Sequence, residues 1–393
     1  MGAFCLFEGV CGGCAFPGVS YEEQLALKDA EVLRHLEACG VRAGDYRPLK
    51  AAPAVHRYRN KMEYSFGDEV KGGEMTLGLH KKGSYMSVLN TTECLLVPES
   101  FNRIHLAVLE WARKSGHGFY HKRSHSGFLR SLVLRRGERT GEVLVNLVTT
   151  SGEALDAGAF LAALPDLAGA PRGAAGDRIV GVLHTVNDRR SDVVAADSVE
   201  VLHGRSHYFE ELLGLRFKVG GFTFFQTNTS AVERMFEEAF SFLEGGRGTL
   251  YDVYCGTGAI SLALSRSAGR VVGIELSGES VAAARENAAL NQIGNCEFHA
   301  GDALEVMEAL SAQGLRPDAI AVDPPRMGLH PKALKKVLSF DLPEILYISC
   351  NPKTFAENMA VMQNAGYALG TLGAYDNFPY TRHTELAAHI VKV

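Results

Sequence analysis

The sequence predicts an α/β protein in three parts: a cysteine-bearing N-terminal segment with a helix (1–57), a mixed, β-rich central domain (58–220) and a Rossmann-like C-terminal domain (221–393). Three observations carry that expectation. Cys5, Cys11 and Cys14 crowd into the first fourteen residues. From about Tyr58 to Gly221, short apolar or alternating runs are separated by turn residues. Beyond Gly221, strand-like and helix-like runs alternate, the pattern of a parallel sheet with crossover helices.

A chain of 393 residues exceeds one typical core, and 46% hydrophobic with 22% charged residues describes an ordinary globular protein. No signal-peptide pattern opens the chain and no uncharged apolar run is long enough to cross a bilayer. Leu6 stands where a myristoylation signal needs Ser or Thr. A cytoplasmic protein with no membrane contact is expected. Eight cysteines are too few and too uneven for a disulfide scaffold, and their clustering suggests a metal. A net charge of -5 argues against wholesale electrostatic binding to nucleic acid. Two local runs differ: Arg42, Arg47, Lys50, Arg57, Arg59 and Lys61, then His121-Lys-Arg-Ser-His125 with Arg130, Arg135, Arg136 and Arg139. Each reads as a solvated face or, with Tyr46, Tyr58, Phe119, Tyr120 and Phe128 interleaved, as a surface that holds phosphates and stacks bases.

The N-terminal cysteines are spaced C-x5-C-x2-C, with Gly12 and Gly13 in the short loop letting backbone amides turn toward anionic sulfur. Cys94, outside the C-terminal domain and near a loop, is the best fourth ligand. Spacing alone leaves a four-cysteine zinc site, an iron-sulfur cluster and no metal all open. Ser20 and Glu23 then make a capping box, Tyr21, Leu25, Val32 and Leu36 share one helical face, and Gly40 closes the helix. Central strands are expected at 75–80, 84–89, 128–134, 142–149, 179–186 and 215–219, helices near 100–115 and 157–164, and an Ala/Gly-rich loop at 168–176.

In the C-terminal part, strand 250–254 runs into the glycine turn Cys255-Gly-Thr-Gly258, a helix opens at Ile260, and the next strand, 270–274, ends at Glu275 before a helix over 279–291. This is the geometry of a nucleoside site: glycines admit the ligand and a carboxylate takes the ribose hydroxyls. The turn lacks a third glycine at the dinucleotide spacing, which favours S-adenosylmethionine. Asp302, after a strand at 296–299, sits where an acid meets the adenine amino group. Two more strand ends follow. Strand 319–322 terminates in Asp323-Pro-Pro-Arg326, and the run Leu346-Tyr-Ile-Ser-Cys350 ends at Asn351-Pro352, which cannot continue a ladder. Glu385 precedes a last strand at 386–391. Asp323, Cys350, Glu275 and the Gly256 turn then share the sheet edge where ligands collect. Cys350 is either a small buried hydrophobe or a nucleophile, and Glu385 a cap, a solvated charge or a base.

With these residues in place, the chain resembles the RNA uracil-C5 methyltransferases. The resemblance spans nearly the whole chain: the four cysteines, Arg59-Asn-Lys61, the segment Phe224-Phe-Gln226-Thr-Asn228, Asp323-Pro-Pro-Arg326, Ser349-Cys-Asn-Pro352 and His383-Thr-Glu385. It implies a class I methyltransferase domain that uses S-adenosylmethionine, and an N-terminal [4Fe-4S] cluster on Cys5, Cys11, Cys14 and Cys94. It also implies that Gln226, Tyr254, Glu275 and Asp323 contact cofactor or uracil, with Cys350 as nucleophile and Glu385 as base; the residue reading adds Gly256, Gly258 and Asp302 to the cofactor set. Ala259 departs from the asparagine of some members and is given no contact. A chain without the amino-terminal β-barrel of many relatives is expected. The expected substrate is 23S ribosomal RNA. The alternatives are a transfer-RNA T-loop uridine, or an RNA-binding iron-sulfur protein with an inactive methyltransferase domain. No obligate protein partner is inferred.

The chemistry has its own logic. Uracil C5 is too poor a nucleophile to take a methyl group directly, so a thiolate adds to C6 and makes an enolate. Cys350 suits this better than Cys255, which lies inside the cofactor turn. Asp323 can orient the pyrimidine through its N3 hydrogen, and Glu385 can remove the C5 proton so that the thiolate leaves. The base must leave its stack to reach such a pocket. Methylation of an amino group is disfavoured, because Arg326 closes the Asp323-Pro-Pro motif where that chemistry needs an aromatic clamp. The cluster is expected to be structural, far in sequence from the methyl-transfer motifs.

Overall fold

The computed structural model describes residues 5–166, 176–190, 196–243 and 247–393; apart from Gly176, the Ala/Gly-rich tract lies outside them. The capping box forms as read. Ser20 Oγ accepts from the Glu23 amide and the Glu23 carboxylate from the Ser20 amide, opening α1 (Tyr21–Ala38). Its buried row differs from the expectation: Gln24, Lys28, Val32 and Leu36 face inward, while Tyr21 and Leu25 are half-buried. The row keeps helical spacing, shifted by one residue at its start so that two polar side chains enter the interior.

The first basic run contains β1 (Ala43–Lys50). The central domain follows: β2 (Lys61–Asp68), β3 (Met75–His80), β4 (Val88–Asn90), α2 (Glu99–Ser115), β5 (Leu129–Arg136), β6 (Glu142–Thr149), α3 (Ala157–Ala163), β7 (Arg178–Val186) and β8 (Ser198–Gly204). They build a seven-stranded sheet in the order β4-β3-β2-β5-β6-β7-β8, in which only β6 and β7 run parallel. Phe101, Trp111, Phe128 and Phe160 fill the core between the sheet and its helices. A hairpin of β9 (His207–Leu212) and β10 (Leu215–Gly220), then α4 (Thr229–Ser241), leads onward.

The basic runs are less free than the sequence suggests. Arg47 and Lys50 share Glu238, Arg57 meets Glu99, Arg136 meets Asp177 and Arg139 meets Glu233. Tyr58 and Phe128 are core residues, and the Tyr46 hydroxyl donates to Asp29. Burial of apolar rings outweighs any surface role for these positions. At the surface, the Arg130 guanidinium lies 4.3 Å over the Tyr120 ring.

The C-terminal elements are β11 (Arg247–Val253), α5 (Ala259–Leu264), β12 (Ala268–Glu275), α6 (Gly278–Leu290), β13 (Cys296–Ala300), α7 (Ala303–Ala312), β14 (Ala319–Val322), α8 (Pro331–Ser339), β15 (Glu344–Ser349), α9 (Pro352–Asn364), β16 (Tyr367–Tyr375) and β17 (Glu385–Lys392). They form an eight-stranded sheet ordered β1-β16-β17-β15-β14-β11-β12-β13, parallel except for both pairings of β17. Residues 43–50, within the segment read as N-terminal, thus supply this sheet's edge strand through parallel pairing with β16. Apolar clusters cover both faces, as a mostly parallel sheet requires. Strand order reverses between β11 and β14, and there the crevice opens. No described helix is long and apolar enough to cross a membrane.

Candidate active site

The switch point is lined first by the glycine turn. After β11 the backbone is left-handed at Tyr254 (φ 72°), Gly256 (53°) and Gly258 (87°). A side chain at Gly258 would also come within 3.2 Å of Ala284 Cβ and 3.3 Å of the Phe298 ring. Tyr254 holds this conformation without a glycine's freedom, the kind of local strain that collects at functional sites. One turn amide is already aimed: Gly256 N–H donates to Glu275 Oε2 at 3.2 Å, and Ser277 N–H to Oε1 at 2.9 Å. Glu275 is thereby fixed at the end of β12, directly beside the turn. Asp302 caps α7, accepting from the Leu304 amide at 2.9 Å through Oδ1. Burial, Asp302 and Glu275 together raise the Tyr254 phenol's pKa, so side chains from three strand ends lie within one another's electrostatic reach.

The second half of the crevice carries the acids and the thiol. Cys350 follows β15, Asp323 follows β14, and Glu385 opens β17. Because β17 runs antiparallel to β15, with Ser349 opposite Leu386, its first residue arrives at the edge where β15 ends. Burial pushes the Cys350 thiol up to about 11, helped by Glu385 and Asp323 and opposed by Arg326. Burial likewise raises Glu385 to about 8, with Asp323 adding to it and Arg326 opposing. Asp323 rises to about 7 through burial and the neighbouring Asp252. Fully buried Asp252, which the sequence reading missed, accepts from Ser261 Oγ at 2.5 Å. Two buried carboxyl groups, Asp323 and Glu385, thus both act on one thiol, a concentration of raised groups that marks a candidate reaction site.

Around this edge, Arg326 holds the rim. Its guanidinium Nη2 lies 3.1 Å from His383 Nε2, and its carbonyl accepts from Asn351 Nδ2 at 2.9 Å, next to the thiol. Gln226 sits on the loop before α4, half-buried behind Phe224, which is 68% exposed. Buried Asn60 donates to the Gln226 carbonyl and to Thr229 Oγ1, both at 3.0 Å, which gives the central residue of Arg59-Asn-Lys61 a structural task. Asn228 Nδ2 donates to the Asn377 carbonyl at 2.8 Å, tying this segment to the loop that leads into β17.

The four N-terminal-site cysteines converge elsewhere. Cys5, Cys11, Cys14 and Cys94 are free thiols lining one cavity of about 250 Å³, together with Arg59 and Tyr380. Amides point at sulfur: Phe7 N–H to Cys5 Sγ at 3.4 Å and Gly13 N–H to Cys11 Sγ at 3.3 Å. Burial pushes the Cys14 thiol to about 12, and Cys94, Cys11 and Cys5 add to the rise. Such thiols face one another and would ionise together only around a cationic centre. Among the described residues, no three Cys, His, Asp or Glu side chains form a group able to hold a single metal ion.

Comparison with known proteins bears on the family and the fold. The family model described as tRNA (uracil-5-)-methyltransferase matches residues 213–393. An uncharacterised RNA methyltransferase of Clostridium tetani is 42% identical over 384 residues, covering 98% of this chain and 82% of its own. One from Bacteroides thetaiotaomicron is 33% identical, covering 97% and 86%. The crystal structure of Pyrococcus abyssi tRNA (uracil-54, C5)-methyltransferase in complex with S-adenosyl-L-homocysteine superposes with a TM-score of 0.75 at 26% identity, covering 95% of this chain and 84% of that one. The C-terminal domain thus has the α/β methyltransferase fold, and the chain belongs to the S-adenosylmethionine-dependent RNA (uracil-5-)-methyltransferase family.

Proposed function

We propose that this chain methylates C5 of a uridine in RNA, with Cys350 as nucleophile, Asp323 orienting the base and Glu385 removing the C5 proton. The observation that carries the reading is the meeting of these three side chains at one sheet edge, beside the Glu275 and Tyr254 pocket. Cys350, as the thiolate that the final elimination regenerates, bonds through sulfur to C6 while the C5–C6 π electrons move toward O4. C5 then takes the methyl group, and S-adenosylhomocysteine departs. Glu385 accepts the C5 proton, the C5–C6 double bond re-forms and the C6–S bond breaks. In this reading Gln226, Tyr254, Gly256, Gly258, Glu275 and Asp302 hold S-adenosylmethionine, and the central domain carries RNA in the cytoplasm.

We also propose that Cys5, Cys11, Cys14 and Cys94 hold a [4Fe-4S] cluster. Four free thiols around one cavity and amides directed at two of the sulfurs suit thiolate ligation of a cluster wider than a single ion. The cluster stabilises the N-terminal segment and supplies no step of methyl transfer.

For the substrate, 23S ribosomal RNA is the reading made from the sequence. The transfer-RNA T-loop uridine has a specific observation in its favour, the similarity over 95% of the chain to an enzyme whose name specifies uracil 54 of tRNA. Mass-spectrometric mapping of 5-methyluridine in ribosomal and transfer RNA from cells with and without the gene decides between them. Loss from neither RNA contradicts the proposed activity.

A further inference from the structure

The buried row of α1 brings a lysine into the protein interior. Lys28 is 1% exposed, and each proton of its ammonium has an acceptor: Asp376 Oδ1 at 2.6 Å, the Phe378 carbonyl at 3.2 Å and the His383 carbonyl at 3.1 Å. All three acceptors belong to the loop 376–384, which joins β16 to β17 and ends one residue before Glu385. The loop has further ties, including Gln24 Oε1 accepting from the Tyr380 amide at 3.1 Å and Tyr58 hydroxyl donating to the Pro379 carbonyl at 2.9 Å. Lys28 grips both its beginning and its end, closing residues 376 and 383 onto one point.

Glu385 needs such a hold. Among the described residues its carboxylate has no hydrogen-bond partner, so its aim follows from the backbone that delivers it. A buried ion pair is weak evidence for stability, since desolvation consumes most of its attraction. A buried lysine with three acceptors along one catalytic loop instead fixes geometry. We infer that Lys28, paired with Asp376, is a positioning residue that sets Glu385 for removal of the C5 proton. The inference rests on the reading of Glu385 as the base.

Lys28→Met alone would strand the Asp376 charge in the interior, so the test is the double variant Lys28→Met/Asp376→Asn, which removes both charges and keeps an acceptor for the Phe378 amide. Binding of S-adenosylmethionine, measured by calorimetry, verifies the fold. Addition of Cys350 and methyl transfer precede the base's step, so the variant should accumulate a covalent enzyme–RNA adduct on a denaturing gel. Its kcat should fall about 100-fold, as for a misplacement of about 1 Å, with kcat/KM for RNA within about threefold of wild type, because the steps through methyl transfer are untouched. Glu385→Gln is run beside it. If Glu385→Gln accumulates adduct and the double variant turns over like wild type, or loses methylation without adduct while still binding S-adenosylmethionine, the role of Lys28 is overturned. If Glu385→Gln itself gives no adduct, the assignment of the base fails and the inference falls with it.

Discussion

Ser349 on β15 pairs with Leu386 on antiparallel β17, and this register sets Cys350 and Glu385 side by side at one edge of the sheet. An all-parallel arrangement would send the first residue of the last strand to the opposite edge. The single reversed strand is therefore what brings a carboxyl group to the sheet edge that carries the thiol.

The proximity has a measurable consequence for the thiol. Cys350 stands at about 11, in part because Glu385 faces it. Glu385→Gln removes that negative field and lowers the thiol's pKa, so iodoacetamide should alkylate Cys350 about 3- to 10-fold faster at pH 9, for a shift of about half to one unit. At pH 6, where Glu385 is protonated, the two proteins should react alike. Arg326→Ala should act in the opposite direction and slow alkylation. Peptide mass spectrometry reads the site.

The same carboxylates make stability depend on pH. Glu385 rises to about 8 and Asp323 to about 7, so the folded state binds protons that the unfolded state releases near its ordinary carboxylate pKa. Their contribution is fully present below about pH 4 and is lost as pH climbs through 7 to 8. Glu385→Gln should therefore melt above wild type at pH 9 and close to it at pH 4. A variant less stable than wild type at pH 9 would contradict the burial argument.

Turnover should show the reverse trend. A base must be ionised to accept the C5 proton, and Asp323 must be ionised to accept from N3–H. Accordingly kcat should climb between pH 6 and 8.5 as Glu385 ionises and kcat/KM as Asp323 does, and Asp323→Asn should lower kcat/KM about 100-fold while leaving S-adenosylmethionine affinity within about threefold.

On the cofactor side, Glu275→Ala frees the amides of Gly256 and Ser277 and should weaken S-adenosylmethionine binding at least about tenfold by calorimetry. Gly258→Val combines a left-handed φ with contact on Ala284 and Phe298, and should cost about 1–3 kcal/mol of stability. Retention of full stability would mean that the turn relaxes.

Much of this site was legible in the chain because its chemistry sits where apolar runs stop. Val322 before Asp323 and Ile274 before Glu275 mark strand ends by hydrophobicity, the apolar run to Ile348 and the Asn351-Pro352 stop bracket Cys350, and the structure places these ends at one edge. What escaped was set by distant packing. β1 hides in a basic run because its charges pair with Glu238, 188 residues or more away. Lys28 falls outside the helical face read as Tyr21, Leu25, Val32 and Leu36, since its partner Asp376 lies 348 residues along the chain. Tyr58 and Phe128, read beside arginines as part of either a solvated face or a base-stacking surface, belong to the core. Local pattern reports where elements end, whereas burial of polar groups is decided by partners that no window of sequence contains.

The central claim, attack of Cys350 on uracil C6, is tested most directly with RNA transcribed with 5-fluorouridine, incubated with the enzyme and S-adenosylmethionine. Fluorine at C5 cannot leave as a cation, so elimination stops and the thioether persists. Digestion and mass spectrometry should find the methylated fluorouridine attached to the peptide containing Cys350, and Cys350→Ala should show neither adduct nor methylated product. Methylation of unmodified RNA by Cys350→Ala at the wild-type rate, or an adduct carried by Cys255 instead, would contradict the account.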